Sequence, residues 1–255
     1  VDRIFAVWCI SNNVGDVMSP WLIKKITGSD PIFAPRDSYY KKYICTGSIL
    51  NWADRNTIVW GAGLANRDDI VNQCDIRAVR GPLTRERVRF CLGRDVEVLG
   101  DPALLAPRFY QSPLEKKYKL GIIPHYVDQC ILYTHPCFSN YPEVKIINVF
   151  DGVEQVIDDI CSCEKVLSSS LHGLILAHAY GKPAVWFEAS NQVLGDGMKF
   201  HDYLLSVNIF PYEPLKLYQI QQLTVQELCK VIGEYNARIH VDELWDACPF
   251  RGKIE

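Results

Sequence analysis

Three serines and a histidine, in Ser168-Ser169-Ser170-Leu171-His172, stand where a short apolar run hands over to a helical pattern. Lys165-Val166-Leu167 reads as a buried strand. Leu171, Leu174, Ile175 and Ala179 then repeat at the i, i+3, i+4, i+8 spacing of an amphipathic helix. Gly181 and Pro183 stop that helix, and Pro183 to Phe187 restarts as a strand. A helix N-terminus carries unpaired N–H groups at the positive end of its dipole, so this junction suits an anion. His172 beside it can carry a proton to or from a bound group.

Other chemistry-bearing residues sit at comparable strand ends. Asp16 follows the first strand in the turn-rich loop Ser11-Asn12-Asn13-Val14-Gly15-Asp16, either capping a helix or facing a ligand. Arg80 ends a strand just before a helix and is the anion-binding candidate among Arg77, Arg80, Arg85, Arg87 and Arg89. Arg85, Arg87 and Arg89 read as a solvated face. Asp101, in Gly100-Asp101-Pro102, is either catalytic or the fixer of a turn. Gly197-Met198-Lys199 opens a helix after a glycine-rich loop and offers one more cation. His125, His178 and His201 read as packing or rim residues.

These junctions require strands alternating with helices throughout the chain. Strands are expected at Arg3 to Cys9, Tyr43 to Thr46, Thr57 to Gly61, Asp75 to Val79, Val96 to Leu99, Tyr118 to Ile123 and Val144 to Val149. Ser19 and Pro20 predict the N-cap and first turn of a helix running to Ile26. A polar stretch from Gln111 to Lys119 marks a boundary. The expected organisation is α/β, with two facing Rossmann-like domains holding parallel sheets. They comprise residues 1–112 on the acceptor side, with Arg80, and residues 117–215 on the donor side. Residues 216–255 are expected to form helices packing back on the body.

Bulk composition narrows the possible functions. Of 255 residues, 48% are hydrophobic and 22% charged, and 27 basic against 30 acidic side chains leave a net charge of −3. That balance points away from nucleic acid as a partner. No apolar run approaches the roughly 20 residues of a transmembrane helix. The ten cysteines contain no C-x-x-C pair; Cys161 and Cys163 form the closest spacing, with no histidine nearby to complete a zinc set. Reduced structural thiols, a cytoplasmic compartment and no required metal or cofactor are therefore expected.

The segments Asn13 to Asp16 with Ser19-Pro20, Val79 to Leu83, Gly100 to Ala103, Gly121 to His125, Ser169 to Leu174, Ala179 to Pro183 and Gly197 to Tyr203 occur in order. Together they resemble successive signatures of the polysaccharide pyruvyltransferase family. The resemblance implies a fold like that of the glycosyltransferase-B class. It also implies transfer of the enolpyruvyl carbon of phosphoenolpyruvate to two hydroxyls of a sugar or glycan acceptor, with ketal formation and release of phosphate. It places an Arg-Leu-His triplet against the donor; here Leu171 and His172 match, and Ser170 stands at the arginine position.

Ketal transfer needs a proton for the donor's methylene carbon, a base for the sugar hydroxyls and cations around the anionic donor. His172 is the candidate acid. Its helix N-terminus disfavours the imidazolium by about 0.3–1 kcal/mol. A phosphate about 4 Å away favours it by roughly 4 kcal/mol per charge at an effective dielectric of 20. His172 is thus expected to be neutral alone and protonated with the donor bound. Asp16 is the first candidate base and Asp101 the second. Arg80, Lys199 and Gly197, with Ser169, Ser170 and Leu171, would hold the donor. Two other functions use the same features: a glycosyltransferase with a UDP- or GDP-sugar donor, and a non-catalytic carbohydrate-binding remnant.

Overall fold

Short apolar runs bounded by glycine, proline and serine become the strands of two parallel sheets. The computed structural model describes residues 3–113, 115–133, 138 and 141–251. In the first half, β1 (Phe5–Ala6), α1 (Val14–Thr27), β2 (Ile32–Phe33), β3 (Lys42–Ile44), β4 (Thr57–Trp60), β5 (Asp75–Ala78) and α2 (Pro82–Leu92) follow in order. The second half holds β6 (Tyr118–Ile123), α3 (Gln129–Tyr133), β7 (Val144–Ile146), α4 (Val153–Cys161), β8 (Cys163–Ser168), α5 (Leu171–Ala179), β9 (Ala184–Glu188), α6 (Met198–Ser206), β10 (Leu215–Lys216), α7 (Leu217–Ile220), α8 (Val225–Ile232) and α9 (Asp242–Asp246). The sheets run β2-β1-β3-β4-β5 and β10-β9-β8-β6-β7, and every described strand pairing is parallel. The chain is thus α/β with two Rossmann-like halves.

Helix α1 begins six residues earlier than the Ser-Pro pair suggests. Asn13 is its N-cap, accepting from the Gly15 N–H at 3.1 Å, and the Val14 N–H donates to the Val149 carbonyl at 2.8 Å. Pro20 therefore sits inside the helix and leaves the Asp16 carbonyl without its usual donor four residues on. Ser19 is buried rather than capping. Its Oγ accepts from the Thr46 N–H at 3.1 Å and lies 2.8 Å from Thr46 Oγ1, tying α1 to the loop after β3. The expected first strand is also shorter. Its pairing ends after Val7, whose N–H donates to the Tyr43 carbonyl at 2.9 Å, and the chain then runs into Ser11 to Asn13. Val96 to Leu99 contributes only a bridge from Leu99 to Val79.

The halves share their core. Val14, Met18 and Leu22 of α1 pack with Ala103 and Leu104, and with Leu171, Leu174 and Ile175 of α5, in one apolar cluster. On the opposite flank Met198 of α6 packs into the core of the first half. The last segment divides between the sheets. Leu228 and Ile232 of α8 cover the second sheet, whereas Leu244 of α9, Cys248 and Phe250 cover the first. Cys9, Cys45, Cys74, Cys91, Cys161, Cys163, Cys229 and Cys248 are free thiols, and Cys137 lies outside the described residues. No described helix is long and apolar enough to cross a membrane.

Candidate functional site

Parallel strands place the loops after β1, β3, β6 and β8 at one rim, where a cleft of about 380 Å³ separates the two halves. Asp16 and Ser11 line it from the first half; His125, Ser170, Leu171, His172 and Lys199 line it from the second. A smaller cavity of about 240 Å³ on the outer face of α2, beside Phe90 and Arg87, contains none of the candidate groups.

Ser170 is the N-cap of α5, accepting from the Gly173 N–H at 3.5 Å, so His172 falls in the first helical turn. The His172 side chain is 9% exposed, and its Nε2 lies 3.6 Å from Asp101 Oδ2. Both of those atoms are buried without a hydrogen-bond partner. Asp101 uses its other oxygen to accept the Ala103 N–H at 3.0 Å, fixing the turn at Pro102. One carboxyl therefore makes the turn and faces the histidine at once. The opposite edge of the ring lies against Gly15: a Cβ there would come within 2.6 Å of His172 Nδ1, so only glycine permits this approach.

Burial drives the pair toward neutrality. Desolvation, then the Arg80 and Lys199 charges, push His172 down to about 3, and desolvation pushes Asp101 up to about 7. The imidazole is thus neutral at pH 7, while Asp101 gains and loses a proton near neutrality. With Asp101 protonated and the gap closed to about 3 Å, Oδ2–H can donate to Nε2 and leave the ring proton on Nδ1. With Asp101 ionised, Nε2–H donates and Nδ1 keeps a lone pair. The same two side chains can therefore act as acid or base.

Lys199 projects from the first turn of α6 into the cleft, and its Nζ donates to the Leu194 carbonyl at 2.7 Å. Desolvation, with Arg80 repulsion next, lowers it to about 8. Asp16 accepts hydrogen bonds from Ser11 Oγ and, at 3.0 Å, from Asn13 Nδ2. Desolvation still raises its pKa. Asp16 thus takes part in the helix cap and borders the cleft. His125 also lines the cleft, and desolvation followed by the Lys199 charge depresses it to about 4. Its backbone N–H donates to Ser169 Oγ at 2.8 Å, and that hydroxyl donates to buried Asp128 at 3.0 Å.

Arg80, expected at the cleft wall, lies beneath it. The side chain is fully buried, with Nε donating to Asp202 at 3.1 Å, Nη1 to Ser48 Oγ at 2.8 Å and Nη2 to the Leu64 carbonyl at 2.7 Å. Asp202 also accepts from the Thr84 N–H at 2.9 Å and from Thr84 Oγ1 at 2.6 Å. Gly81 permits this docking, because a Cβ there would meet the Asp202 carbonyl at 2.0 Å. Arg80 thus acts on the cleft through its field rather than by contact. Ser169 is engaged by His125 and Asp128, and Gly197 borders a separate recess beside Trp186. The arrangement therefore gathers His172, Asp101, Asp16, Lys199, Ser170 and Leu171, and leaves Arg80 and Gly197 behind the wall. His178 bonds Tyr203 and the Ala184 carbonyl inside the second half. Among the described residues no group of three His, Cys, Asp or Glu side chains is placed to hold a metal ion.

A family model described as polysaccharide pyruvyl transferase matches residues 16–191, the span holding Asp16, Asp101 and His172. The chain belongs to the polysaccharide pyruvyl transferase family. It is 30% identical over 205 residues to the uncharacterized protein L143 of Acanthamoeba polyphaga mimivirus, covering 75% of this chain and 70% of that protein. It is 27% identical over 217 residues to the succinoglycan biosynthesis protein ExoV of Rhizobium meliloti strain 1021, covering 80% of this chain and 64% of ExoV. A crystal structure of the uncharacterized protein KP1_0663 from Klebsiella pneumoniae aligns with a TM-score of 0.48 at 13% identity, covering 84% of this chain and 92% of that one. As a pyruvyl transferase family member the chain is a transferase. Ser170, where the family resemblance predicts arginine, caps α5, and Lys199 supplies a cation to the same cleft.

Sequence reasoning did not single out Asp202 as the partner of Arg80, or Asn51 and Trp52 as cleft residues. The first could have been sought in the Lys199-to-Tyr203 segment. The second pair follows a strand end, the position where α/β sheets bind ligands.

Proposed function

We propose that the chain transfers the pyruvyl group of phosphoenolpyruvate to two hydroxyls of a sugar in a glycan, forming a ketal. The observation that carries this reading is the buried Asp101–His172 pair, 3.6 Å apart at a cleft that also holds Lys199. The donor's phosphate and carboxylate lie against Lys199 and the first-turn N–H groups of α5. His172 Nδ1 delivers a proton to the donor's methylene carbon while the Asp101 proton moves to Nε2. The resulting cation at C2 is captured by one sugar oxygen, whose proton passes to Asp16. Phosphate then leaves with the proton from Asp16. The second sugar oxygen attacks C2, and its proton returns to the His172–Asp101 pair. One hydroxyl proton ends on the new methyl group and the other on phosphate.

Phosphate release and the ketal carbon, followed by ¹³C NMR with phosphoenolpyruvate and a panel of sugars, test this reaction. The expected result is stoichiometric phosphate and ketal, abolished in His172→Gln. Thermal stabilisation by UDP- or GDP-sugars and none by phosphoenolpyruvate would overturn it in favour of a nucleotide-sugar transferase. A folded His172→Gln variant matching an inactive wild type would favour a carbohydrate-binding remnant.

A further inference from the structure

The two walls of the cleft differ in charge. Lys199 is the cation contributed by the second half, next to His125 and His172, whereas the charged side chains lining the first-half wall are Asp16 and Asp69. Asp69 is already engaged by the Ala65 and Asn66 N–H groups at 3.1 and 3.0 Å, so it serves as a fixed negative charge rather than a free acceptor. The same wall presents Asn51 and Trp52, from the 3₁₀ turn after β3. Asn51 Oδ1 is buried without a hydrogen-bond partner, a costly state for an amide. The half-buried Trp52 indole borders the cleft, with the Arg36 guanidinium over its ring at 5.9 Å. An aromatic face beside an unsatisfied amide is a natural seat for a hydroxylated ring.

We infer that Asn51 and Trp52 form the acceptor subsite, and that the acceptor is a neutral hexopyranose rather than a uronate or a sugar phosphate. The inference rests on the transfer reaction proposed above, deepening its acceptor half. The ring packs on Trp52, one hydroxyl satisfies the Asn51 amide, and Asp16 faces the hydroxyl that reacts. An acidic sugar would meet a wall lined by Asp16 and Asp69, and the Arg36 guanidinium over Trp52 offsets only one of these two carboxylates, so the wall disfavours a uronate. A cleft of about 380 Å³ can hold a sugar ring beside a three-carbon donor, at the lower end of the roughly 300–1,000 Å³ typical of ligand sites.

Sugar binding is measurable without donor or turnover, so this subsite can fail independently of the reaction. Saturation-transfer NMR and calorimetric titration would compare methyl hexopyranosides with the matching methyl uronates on wild type, Asn51→Ala and the milder Trp52→Phe. The expected result is a neutral glycoside bound at least tenfold more tightly than its uronate. That binding should weaken at least fivefold in either variant, with circular dichroism and thermal midpoint unchanged. Phosphoenolpyruvate-induced thermal stabilisation, run in parallel, should be alike in all three proteins. Equal or tighter uronate binding, no neutral glycoside binding to wild type, or unchanged binding in both folded variants would each overturn the assignment. Sugar binding that behaves as expected in a protein inert toward phosphoenolpyruvate would support the subsite and reject the pyruvyl donor.

Discussion

At the scale of single residues, the titrations of Asp101 and Lys199 should separate in the kinetics. Asp101 is pushed up to about 7, so the doubly protonated pair that starts the reaction is lost as pH rises through neutrality, and kcat should fall there. Lys199 is lowered to about 8, so its charge disappears above that pH, and the donor's KM should rise. Asp101→Asn should cut kcat by roughly 10²–10⁴ and erase the limb near pH 7, while the KM limb near 8 persists. Retention of the kcat limb in that variant would exclude the pair as the proton source. The same substitution should not weaken the fold at pH 8. A raised carboxyl pKa means that the folded state prefers the protonated form. Wild type therefore loses stability as pH climbs from the unfolded value toward about 7, and Asn removes that loss. His172 carries the opposite sign: its depressed pKa means stability is lost as pH falls from about 6.5 toward about 3. Denaturant titrations at pH 8 should find Asp101→Asn at least as stable as wild type, with a gain on the order of 1–4 kcal/mol. Gly15→Ala provides a geometric control. Its methyl would press on Nδ1, so kcat should drop at least tenfold while the thermal midpoint moves by only a few degrees.

The elements show why some of this was legible in the chain and some was not. Strand β6 occupies the expected Tyr118 to Ile123, and α5 begins at Leu171, because each carries its own periodic apolar pattern and flanking stop residues. The start of α1 was obscured: Ser19-Pro20 mimics a helix entrance, whereas the chain begins the helix where Val14 can bond Val149, more than a hundred residues away. Arg80 failed to reveal its burial for the same reason. Its carboxylate partner is 122 residues distant, and local sequence carries no record of such a pairing. That ion pair joins the start of α2 to α6, and both side chains are fully buried. Arg80→Met would strand the Asp202 charge with only Thr84 as donor, so it should cost about 3–5 kcal/mol of stability. Arg80→Lys should recover little of it, since a single ammonium cannot reach Asp202, Ser48 and the Leu64 carbonyl with a fork's geometry. Urea denaturation decides the point, and a loss below about 1 kcal/mol for Arg80→Met would show that the pair is not a keystone between these helices.

Across the whole molecule, the proposed proton path spans the two halves: Asp101 belongs to the segment leaving the first sheet and His172 to the helix after β8. At 3.6 Å their facing atoms stand just outside hydrogen-bond range, so proton transfer needs a further approach to about 3 Å and tolerates no widening of the gap. The surrounding contacts supply the needed rigidity. On one flank α1 is buried against α5 and bonded through Val14 to Val149, with Lys25 paired to Glu154 at 2.8 Å. On the other, α2 and α6 are held by Arg80, Thr84 and Asp202, and the Arg67 N–H donates to Asp196 at 3.1 Å. Opening a hinge between the sheets would expose the shared apolar core and break the buried ion pair together, a combined penalty that substrate binding could not readily offset. Catalysis in this fold then relies on a preorganised cleft rather than on closure of one half over the other. Small-angle scattering should therefore give a radius of gyration near the roughly 18 Å expected for 255 residues, unchanged within about 0.5 Å when phosphoenolpyruvate and an acceptor sugar are added. A contraction of more than about 1 Å would mean that the halves do move, and that the Asp101–His172 contact forms only once substrates are in place.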